Sequence, residues 1–310
     1  MNRLRLPIVP ILVACLAGTG SADAGTILFV GNSFLYGANS PVRVYRPDSV
    51  ADLNGEGVGG VPALFARFAQ EAGLEFSVSL ETAPGVGLDY HWNQRRAVLD
   101  RAWDDVVLSG YSTLDREHPG DATMLTEFAG RLATLFHCRN PSARVHLNAT
   151  WTRADQTYLK TGHWYGRPVE TMALEVRAGN DAAAAASPYV SDVIPVGEAW
   201  NRAFATGVAD PNPYDGVGFG QLDLWSWDQY HASTAGYYLE ALVIFGAVTH
   251  RDPRILGVGE KAAADLGFSE AQVRVLQQVA HDELESQAAR PARPRAVAPQ
   301  TSGCESAEPR

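Results

Sequence analysis

Short apolar runs alternate with amphipathic stretches along most of this chain. Residues 26–30 form one such run, which ends at Gly31 and is typical of a buried strand. Similar runs occur at 76–80, 105–109, 144–149 and 193–196. Because Pro195 cannot donate a backbone hydrogen bond, the last run is expected at the edge of a sheet. The pattern therefore predicts five strands.

Between these runs, apolar residues recur at the spacing of a helix. Val61, Leu64, Phe65 and Phe68 share one helical face. The same periodicity indicates helices at 89–101, 122–137, 169–185 and 233–249, and a last one that begins at Ser269. Strands that alternate with helices form βαβ units, in which the sheet is covered on both faces. We expect one three-layer α/β domain with a mostly parallel five-stranded sheet.

Two long segments interrupt this alternation. Residues 36–60 follow the first predicted strand, and residues 207–227 are rich in Gly, Pro, Asp and aromatic side chains. Ligands of open α/β sheets bind beyond the carboxyl ends of the strands, and long loops in compact domains often form such sites. Both segments are therefore candidate walls of a functional site.

The amino terminus has the pattern of a secretory signal peptide. Arg3 and Arg5 precede an apolar stretch at 6–17, and a small-x-small cleavage site ends at Ala24. The apolar stretch is too short to span a membrane. We expect a signal peptide at 1–24 and export to the periplasm or the extracellular space. The sequence LVAC that ends at Cys15 also fits a lipobox, so lipid anchoring at Cys15 is an alternative.

The carboxyl terminus departs from the pattern as well. Residues 286–310 are rich in Ala, Pro and Arg and lack apolar periodicity, which predicts a disordered tail after a domain at 25–285. Of the three cysteines, Cys15 lies in the predicted signal peptide and Cys304 in the tail. We expect Cys138 to be a small buried residue, and the spacing supports no disulfide.

Composition narrows the classes of function. The 310 residues carry a formal net charge of −10, which argues against the basic patch of a nucleic-acid-binding protein. The sequence contains neither an HExxH motif nor paired CxxC motifs. We therefore expect neither a metal nor another cofactor.

Three polar residues could form a nucleophilic site. Ser33 directly follows the first predicted strand, where its side chain would lie at the rim of the sheet. Asp228 precedes His231 by three residues, and in a helical turn this spacing puts both side chains on the same side. Asp228 would then fix the tautomer of His231, whose second ring nitrogen could accept the Ser33 proton.

Four segments resemble the motif blocks of the SGNH, or GDSL-type, hydrolase family. They are 27–34 (ILFVGNSF), 85–91 (GVGLDYH), 150–153 (TWTR) and 228–239 (DQYHASTAGYYL). The first is similar to the branch of the family that reads GNS rather than GDS. The resemblance covers nearly the whole predicted domain. It implies a flavodoxin-like three-layer fold and ester hydrolysis, usually deacylation.

The resemblance also implies roles for individual residues. Ser33 would be the nucleophile, His231 the base and then the acid, and Asp228 the carboxylate that orients His231. The backbone N–H groups of Ser33 and Gly85 would bind the oxyanion of the tetrahedral intermediate. His91 would be a nearby pocket residue, with a surface histidine or a histidine satisfied within its helix as the alternatives.

The third block departs from the family pattern. The sequence VVLSGYST places Ser112 where the family has asparagine. A hydroxyl reaches less far than a carboxamide, and loss of one oxyanion donor costs about 3–4 kcal/mol when nothing replaces it. The third donor could be Ser112, Ser109 or another group nearby.

Further side chains near these blocks are candidates for substrate contact. Trp151 and Arg153 follow the fourth predicted strand and could either grip a substrate or close the rim of the site. Aromatic residues flank the Asp228–His231 turn, and such residues either stack on sugar rings or pack beneath the loop; they are Trp225, Trp227 and Tyr230.

These observations lead to one expected function and two alternatives. We expect an exported serine esterase whose partner is a small-molecule or glycan ester. Acyl transfer to an alcohol instead of water would use the same residues. The other alternative is a non-catalytic glycan-binding or cell-envelope protein, which Ser112 favours. The oligomeric state stays open.

Overall fold

The computed structural model describes residues 24–291 together with residues 296 and 304. The predicted signal peptide, apart from Ala24, and most of the predicted tail lie outside these residues. Six strands form one sheet, and every neighbouring pair of strands is parallel. The strands are β1 (Gly25–Gly31), β2 (Ala51–Asp52), β3 (Phe76–Thr82), β4 (Asp105–Leu108), β5 (Arg144–Asn148) and β6 (Val190–Ile194). Their order across the sheet is β2-β3-β1-β4-β5-β6.

Helices connect the strands and cover the sheet. They are α1 (Ser33–Tyr36), α2 (Gly60–Glu71), α3 (Leu88–Gln94), α4 (Arg96–Leu99), α5 (Thr123–Arg139), α6 (Ala154–Tyr158), α7 (Glu170–Ala186), α8 (Val196–Ala205), α9 (Thr234–Thr249), α10 (Lys261–Leu266) and α11 (Glu270–Ala288). Short 3-10 helices lie at Pro41–Val44, Pro47–Ser49 and Pro253–Leu256.

The alternation of side chains along β1 divides the core into two layers. Ile27 and Phe29 face a cluster that includes buried residues of α2, α8, α9 and α11. Leu28 and Val30 face the opposite cluster, which includes residues of α3, α5 and α7. A parallel sheet buried on both faces explains why its strands read as continuous apolar runs. The predicted three-layer α/β fold is confirmed.

Several details differ from the prediction. The sheet has six strands rather than five, because the two-residue strand β2 lies within the segment 36–60 and pairs with β3. Two residues are too few to leave a periodic pattern. The helix predicted at 89–101 is divided into α3 and α4, and Arg95 between them leaves the helical backbone, with φ −122° and ψ 2°. The edge position of the last strand is as expected.

The prediction for the cysteines was wrong. Cys138, at the end of α5, forms a disulfide with Cys304, and the two Cα atoms are 5.5 Å apart. The partners are separated by 166 residues. Spacing along the chain therefore could not indicate that they pair. A backbone hydrogen bond from Ala296 to Ala185 provides a second contact of the carboxyl-terminal segment.

Among residues 24–291, 296 and 304, no helix combines the length and the apolar character needed to cross a bilayer. Within the same residues, no group of three or more His, Cys, Asp or Glu side chains could hold a metal ion.

Candidate active site

Ser33 is the first residue of α1, directly beyond the carboxyl end of β1. Asn32 caps this helix, because its Oδ1 accepts a hydrogen bond from the Phe34 N–H at 3.1 Å. The Asn32 Nδ2 donates to the carbonyls of Val86 and Gly110, each at 2.9 Å. One carboxamide thus joins the loops that follow β1, β3 and β4. An aspartate could not donate these two bonds, which gives a physical reason for GNS rather than GDS in this chain.

Asn32 was not predicted to have a role, although the signal was present in the sequence. The asparagine side chain has two N–H donors and one acceptor, and all three are used here. The position of Ser33 therefore depends on Asn32, which the motif resemblance used only to distinguish GNS from GDS.

A tight turn carries Asp228 and His231, rather than the helical turn expected from their spacing. The Ser226 N–H donates to the His231 carbonyl at 2.7 Å, and the Gln229 N–H donates to the Ser226 carbonyl at 2.9 Å. Gln229 adopts a left-handed backbone with φ 55°. The turn still brings the two side chains together, so the expected pair forms through a different backbone geometry.

The Asp228 carboxylate holds His231 at one ring nitrogen. Its Oδ2 lies 2.6 Å from the His231 Nδ1, and its Oδ1 accepts backbone hydrogen bonds from His231 and Tyr230 at 3.0 and 3.1 Å. Burial raises the pKa of Asp228, but these hydrogen bonds outweigh burial and hold it below its usual value. An ionised Asp228 requires the proton of His231 on Nδ1, which leaves Nε2 as the acceptor.

The other ring nitrogen of His231 is not engaged. Its Nε2 is buried and has no hydrogen-bond partner among the described residues. The imidazole packs against two aromatic rings, with centroid separations of 5.6 Å to Phe34 and 4.0 Å to Tyr230. An imidazole held at Nδ1 and open at Nε2 has the hydrogen-bonding geometry of a general base.

Asn39 is a further contact of this pair that the sequence analysis missed. Its Nδ2 donates to the Asp228 Oδ2 at 2.6 Å and lies 3.4 Å from the His231 Nδ1. The backbone of Asn39 is left-handed, with φ 58°, a conformation that asparagine tolerates better than most residues. Asn39 lies within the segment 36–60, which was expected to form a wall of the site, but nothing in the sequence singled it out.

Hydrogen bonds join the nucleophile segment to the turn some 200 residues later. The Tyr237 hydroxyl, on α9, contacts the carbonyls of Ser33 and Ala38 at 3.1 and 3.2 Å. The Ser226 hydroxyl donates to the Asn39 carbonyl at 3.1 Å. These bonds fix α1 relative to the start of α9, so the two parts of the site are held by buried polar contacts as well as by apolar packing.

A cavity of about 350 Å³ lies beside Ser33. Four predicted site residues line it, namely Ser33, Gly85, Ser112 and Arg153. Asp228 and His231 do not line it themselves, but Phe34 and Tyr230, which contact His231, do. The carboxyl ends of β1, β3, β4 and β5 thus place four of the predicted residues around one space.

The proposed oxyanion donors lie on this cavity. Gly85 has φ +65°, a conformation that favours glycine, and no atom lies within 4 Å of the position that a Cβ would take. The backbone N–H groups of Ser33 and Gly85 have no acceptor among the described residues. Of the two serines considered for the third donor, Ser112 lines the cavity, whereas Ser109 packs beneath Gly31 and does not.

His91 does not line the cavity, so the expectation that it is a pocket residue was wrong. It is completely buried and pairs through Nδ1 with the buried Glu81 of β3. The Arg95 Nε donates to the same carboxylate at 3.0 Å. Burial raises the pKa of Glu81, but His91 and Arg95 outweigh burial and lower it. His91 therefore lies in the interior as a partner of the Glu81 carboxylate, whose charge Arg95 also balances.

Trp151 is also buried and does not line the cavity. Its ring stacks between Phe34 and Trp200, with centroid separations of 4.4 and 4.6 Å. Its Nε1 donates to the Tyr230 carbonyl at 3.3 Å. Trp151 therefore packs beneath α1 and the turn that carries Asp228 and His231. Of the two roles considered for Trp151, substrate contact was wrong.

Arg153 lies on the cavity as expected, with its guanidinium held on two sides. It is 3.6 Å from the centroid of the Tyr230 ring. Its Nε and Nη2 donate to the two oxygens of Asp155 at 3.0 and 2.6 Å. Of the aromatic residues near the turn, Trp225 is buried, whereas the side chain of Trp227 is 78% exposed.

The comparisons with known proteins show the fold. No protein-family model matches the chain, and no curated protein matches it in sequence. A DUF4886 family protein from Bacteroides uniformis is similar in structure, with 16% identity, a TM-score of 0.59, and coverage of 86% of this chain and 96% of that one. A protein from Parabacteroides merdae described as a GDSL-like lipase has 16% identity, a TM-score of 0.50, and coverage of 73% and 95%.

A third structure, described as an SGNH hydrolase from Slackia heliotrinireducens, is 21% identical over 73% of this chain and 100% of that one, with a TM-score of 0.47. We base the fold assignment on the first two structures. The chain has the same three-layer α/β fold as these two structures, in agreement with the fold that the motif resemblance implied. Identities this low establish the fold and leave the activity to be argued from the site.

Proposed function

We propose that this chain is an exported serine hydrolase of the SGNH type, which cleaves carboxylic esters through an acyl-Ser33 intermediate. The arrangement of His231 carries the proposal. The Asp228 Oδ2 lies 2.6 Å from Nδ1, while Nε2 has no partner among the described residues and Ser33 lies on the adjacent cavity. A histidine oriented by a carboxylate and open at its second nitrogen is what a serine nucleophile needs for activation.

The reaction would proceed in two stages. In the first, the Ser33 Oγ attacks the ester carbonyl and His231 Nε2 takes the hydroxyl proton. The tetrahedral intermediate then collapses, and the protonated Nε2 gives its proton to the departing alcohol oxygen. In the second, His231 takes a proton from water, which attacks the acyl-Ser33 carbonyl, and Ser33 regains its proton as the acid is released.

The oxyanion would be held by groups on the cavity. The backbone N–H groups of Ser33 and Gly85 supply two donors, and the Ser112 hydroxyl supplies a third. Preorganised donors stabilise the developing negative charge, and each is typically worth about 3–4 kcal/mol in the transition state. In this proposal, Ser112 replaces the asparagine of the family pattern with a shorter donor.

Export is supported by the disulfide as well as by the amino-terminal sequence. Cys138 and Cys304 form a disulfide, and such bonds persist in oxidising compartments. The periplasm and the extracellular space are both compartments of this kind. Anchoring through Cys15 remains the alternative to simple secretion.

A carbohydrate ester is the substrate class that the surroundings favour. The Trp227 side chain is 78% exposed and directly precedes Asp228 in the turn. An exposed indole next to a catalytic turn offers a flat surface for a sugar ring. Hydrolysis and transfer of the acyl group to an alcohol would begin with the same acyl-Ser33.

The second candidate function is non-catalytic glycan binding on the same scaffold. Ser112 in the asparagine position is the observation that favours it. A fluorophosphonate probe separates the two functions, because only an activated serine reacts rapidly with it. Rapid labelling at Ser33 supports the hydrolase, and no labelling supports the binding protein.

The decisive experiment is Ser33→Ala assayed on short-chain p-nitrophenyl esters. We expect loss of kcat/KM by about a thousand-fold or more, because no other group can form the acyl intermediate. Ser142→Ala, at an exposed position outside the cavity, is the matched control and should retain full activity. Wild-type turnover in Ser33→Ala would overturn the proposed mechanism.

A further inference from the structure

The cavity beside Ser33 differs in charge from the chain as a whole. The chain carries a formal net charge of −10. The described residues that line the cavity nevertheless include Arg116 and Arg153, and among them there is no aspartate or glutamate. A sphere of 350 Å³ is only about 9 Å across, so both arginines lie within reach of a small ester bound at Ser33.

The charge of Arg153 is already balanced. Asp155 accepts two hydrogen bonds from its guanidinium, at 3.0 and 2.6 Å. Gln156 also donates to Asp155, at 3.1 Å. Since the guanidinium additionally packs on the Tyr230 ring, Arg153 contributes shape and hydrogen bonding to the wall more than net charge.

Arg116 has no such partner. In the part of the chain that the structure describes, its side chain makes no hydrogen bond and no ion pair. The adjacent Asp115 is engaged elsewhere, because its Oδ1 accepts the backbone N–H groups of Glu117 and His118, each at 2.7 Å. An arginine on an active-site wall without a carboxylate partner is available to bind an anion.

The electrostatic influence of Arg116 extends to the cavity wall. Burial raises the pKa of the Tyr111 hydroxyl, and the charge of Asp89 raises it further, whereas the backbone N–H of Gly87 and, to a smaller extent, the positive charge of Arg116 lower it. The Tyr111 ring packs flush against Gly87, where a Cβ would overlap it. Arg116 and Tyr111 thus form one side of the cavity, on the loop that follows β4.

The geometry points to an ester that carries an anionic group, which Arg116 binds while Ser33 attacks the carbonyl. This inference rests on the proposed ester hydrolysis at Ser33 and names the class of substrate. Among carbohydrate esters, it selects those of sugar acids over those of neutral sugars. A guanidinium fork matches a carboxylate in geometry and charge.

Two acetyl esters that differ in one charge test the inference. The probes are 4-acetoxybenzoate and its neutral amide, 4-acetoxybenzamide. We expect Arg116→Gln to lower kcat/KM for the benzoate by about ten-fold and to change kcat/KM for the amide by less than two-fold. The readout is the ratio of kcat/KM for the benzoate to kcat/KM for the amide. Comparing this ratio between wild type and Arg116→Gln cancels the difference in intrinsic reactivity of the two esters.

Arg274→Gln is the matched control. Arg274 is exposed on α11, outside the cavity, and its substitution changes the net charge by the same amount. This variant should keep the wild-type ratio, and added salt should reduce the wild-type preference for the benzoate.

Each outcome decides between explanations. An equal loss of kcat/KM on both esters would assign Arg116 a purely structural role. No loss on either ester would show that Arg116 does not bind the anion. Either result overturns this inference. It leaves the proposed function intact if hydrolysis of the acetyl ester of 4-acetoxybenzamide still depends on Ser33. A wild-type protein that hydrolyses neither ester overturns both.

Discussion

His231 and His146 both contact aspartate, and they do so in opposite ways. His231 lies at the rim of the sheet, with Asp228 at Nδ1 and no partner for Nε2 among the described residues. His146 lies within β5, with Asp192 at Nδ1 at 2.8 Å and Asp105 at Nε2 at 3.1 Å. One ring is held at a single nitrogen, and the other is held at both.

This difference determines what each histidine can do. Burial lowers the pKa of His146, but the two carboxylates outweigh burial and raise it to about 9. His146 is therefore a fixed cation near neutral pH, which links β4, β5 and β6. His231 has an open nitrogen and can take and return a proton. The same two residue types thus make a structural ion pair in one place and a candidate catalytic pair in the other.

The largest expected effect comes from His231→Asn. Without the imidazole, Ser33 loses its base, and we expect kcat/KM on p-nitrophenyl acetate to fall by about a thousand-fold or more. Unfolding by urea should change little, because the His231 side chain is at the rim and carries no buried ion pair beyond Asp228. A variant that loses stability instead of activity would contradict the assignment of His231.

The same substitution at His146 should have the reverse outcome. His146→Asn leaves Asp105 with only Arg144, at 2.8 Å, and leaves Asp192 without its cationic partner at 2.8 Å. Breaking a buried pair from one side typically costs about 3–5 kcal/mol, which urea unfolding would measure. The folded fraction should retain wild-type kcat. The exposed His118→Asn is the control and should match the wild type in both measurements.

The pH dependence of stability distinguishes the two sites further. The folded pKa of His146 is about 9, above the ordinary value of 6.5, so its contribution is complete below about pH 6.5 and is lost as pH rises through 9. We expect the contribution of His146 to the free energy of unfolding to fall by about 2–3 kcal/mol, a figure that is reduced somewhat because Asp192 is partly exposed. The measurement is the difference between wild type and His146→Asn in urea unfolding at pH 6, 8 and 9.5. A constant difference would contradict the protonated state of His146.

The smallest expected effect concerns Asn39, which contacts the candidate pair of Asp228 and His231. Asn39 donates to the Asp228 Oδ2 at 2.6 Å, and a hydrogen bond to a charged group is worth about 1.5–3 kcal/mol. Asn39→Ala should therefore lower kcat by roughly ten-fold or more. KM should stay unchanged, because Asn39 does not line the cavity. Asn39→Asp places a second carboxylate against Asp228 and should cost more; an equal or smaller loss would show that the donated bond is unimportant.

Much of the fold was predictable because its signals are local. Buried parallel strands read as apolar runs, and the helices that cover them show helical periodicity. The helices α5, α7 and α9 lie close to their predicted bounds, and α2 contains the predicted apolar face. The strand β2 was not predictable, because two residues have no period. The break between α3 and α4 was not predictable either. It falls at Arg95, whose side chain donates to Glu81 on β3.

The candidate site shows the same division. The sequence made Ser33 a candidate nucleophile through its place after a strand, and Asp228 and His231 a candidate pair through their separation of three residues. His91 looked equally suitable in the sequence, yet it is buried against Glu81. A histidine becomes structural or available according to the charges that other elements bring to it, and sequence spacing carries no information about those charges.

The sequence by itself determined the layered α/β architecture, the place of Ser33 just after β1 and the neighbouring Asp228–His231 pair, because these depend on residues close together in the chain. Tertiary structure alone decided that Asn39 contacts Asp228, that Asn32 joins three loops, that Cys138 pairs with Cys304, and that Arg116 lines the cavity with no partner among the described residues. Each of these depends on segments that lie far apart in the sequence. Folding brings them together because the carboxyl ends of parallel strands meet at one edge of the sheet.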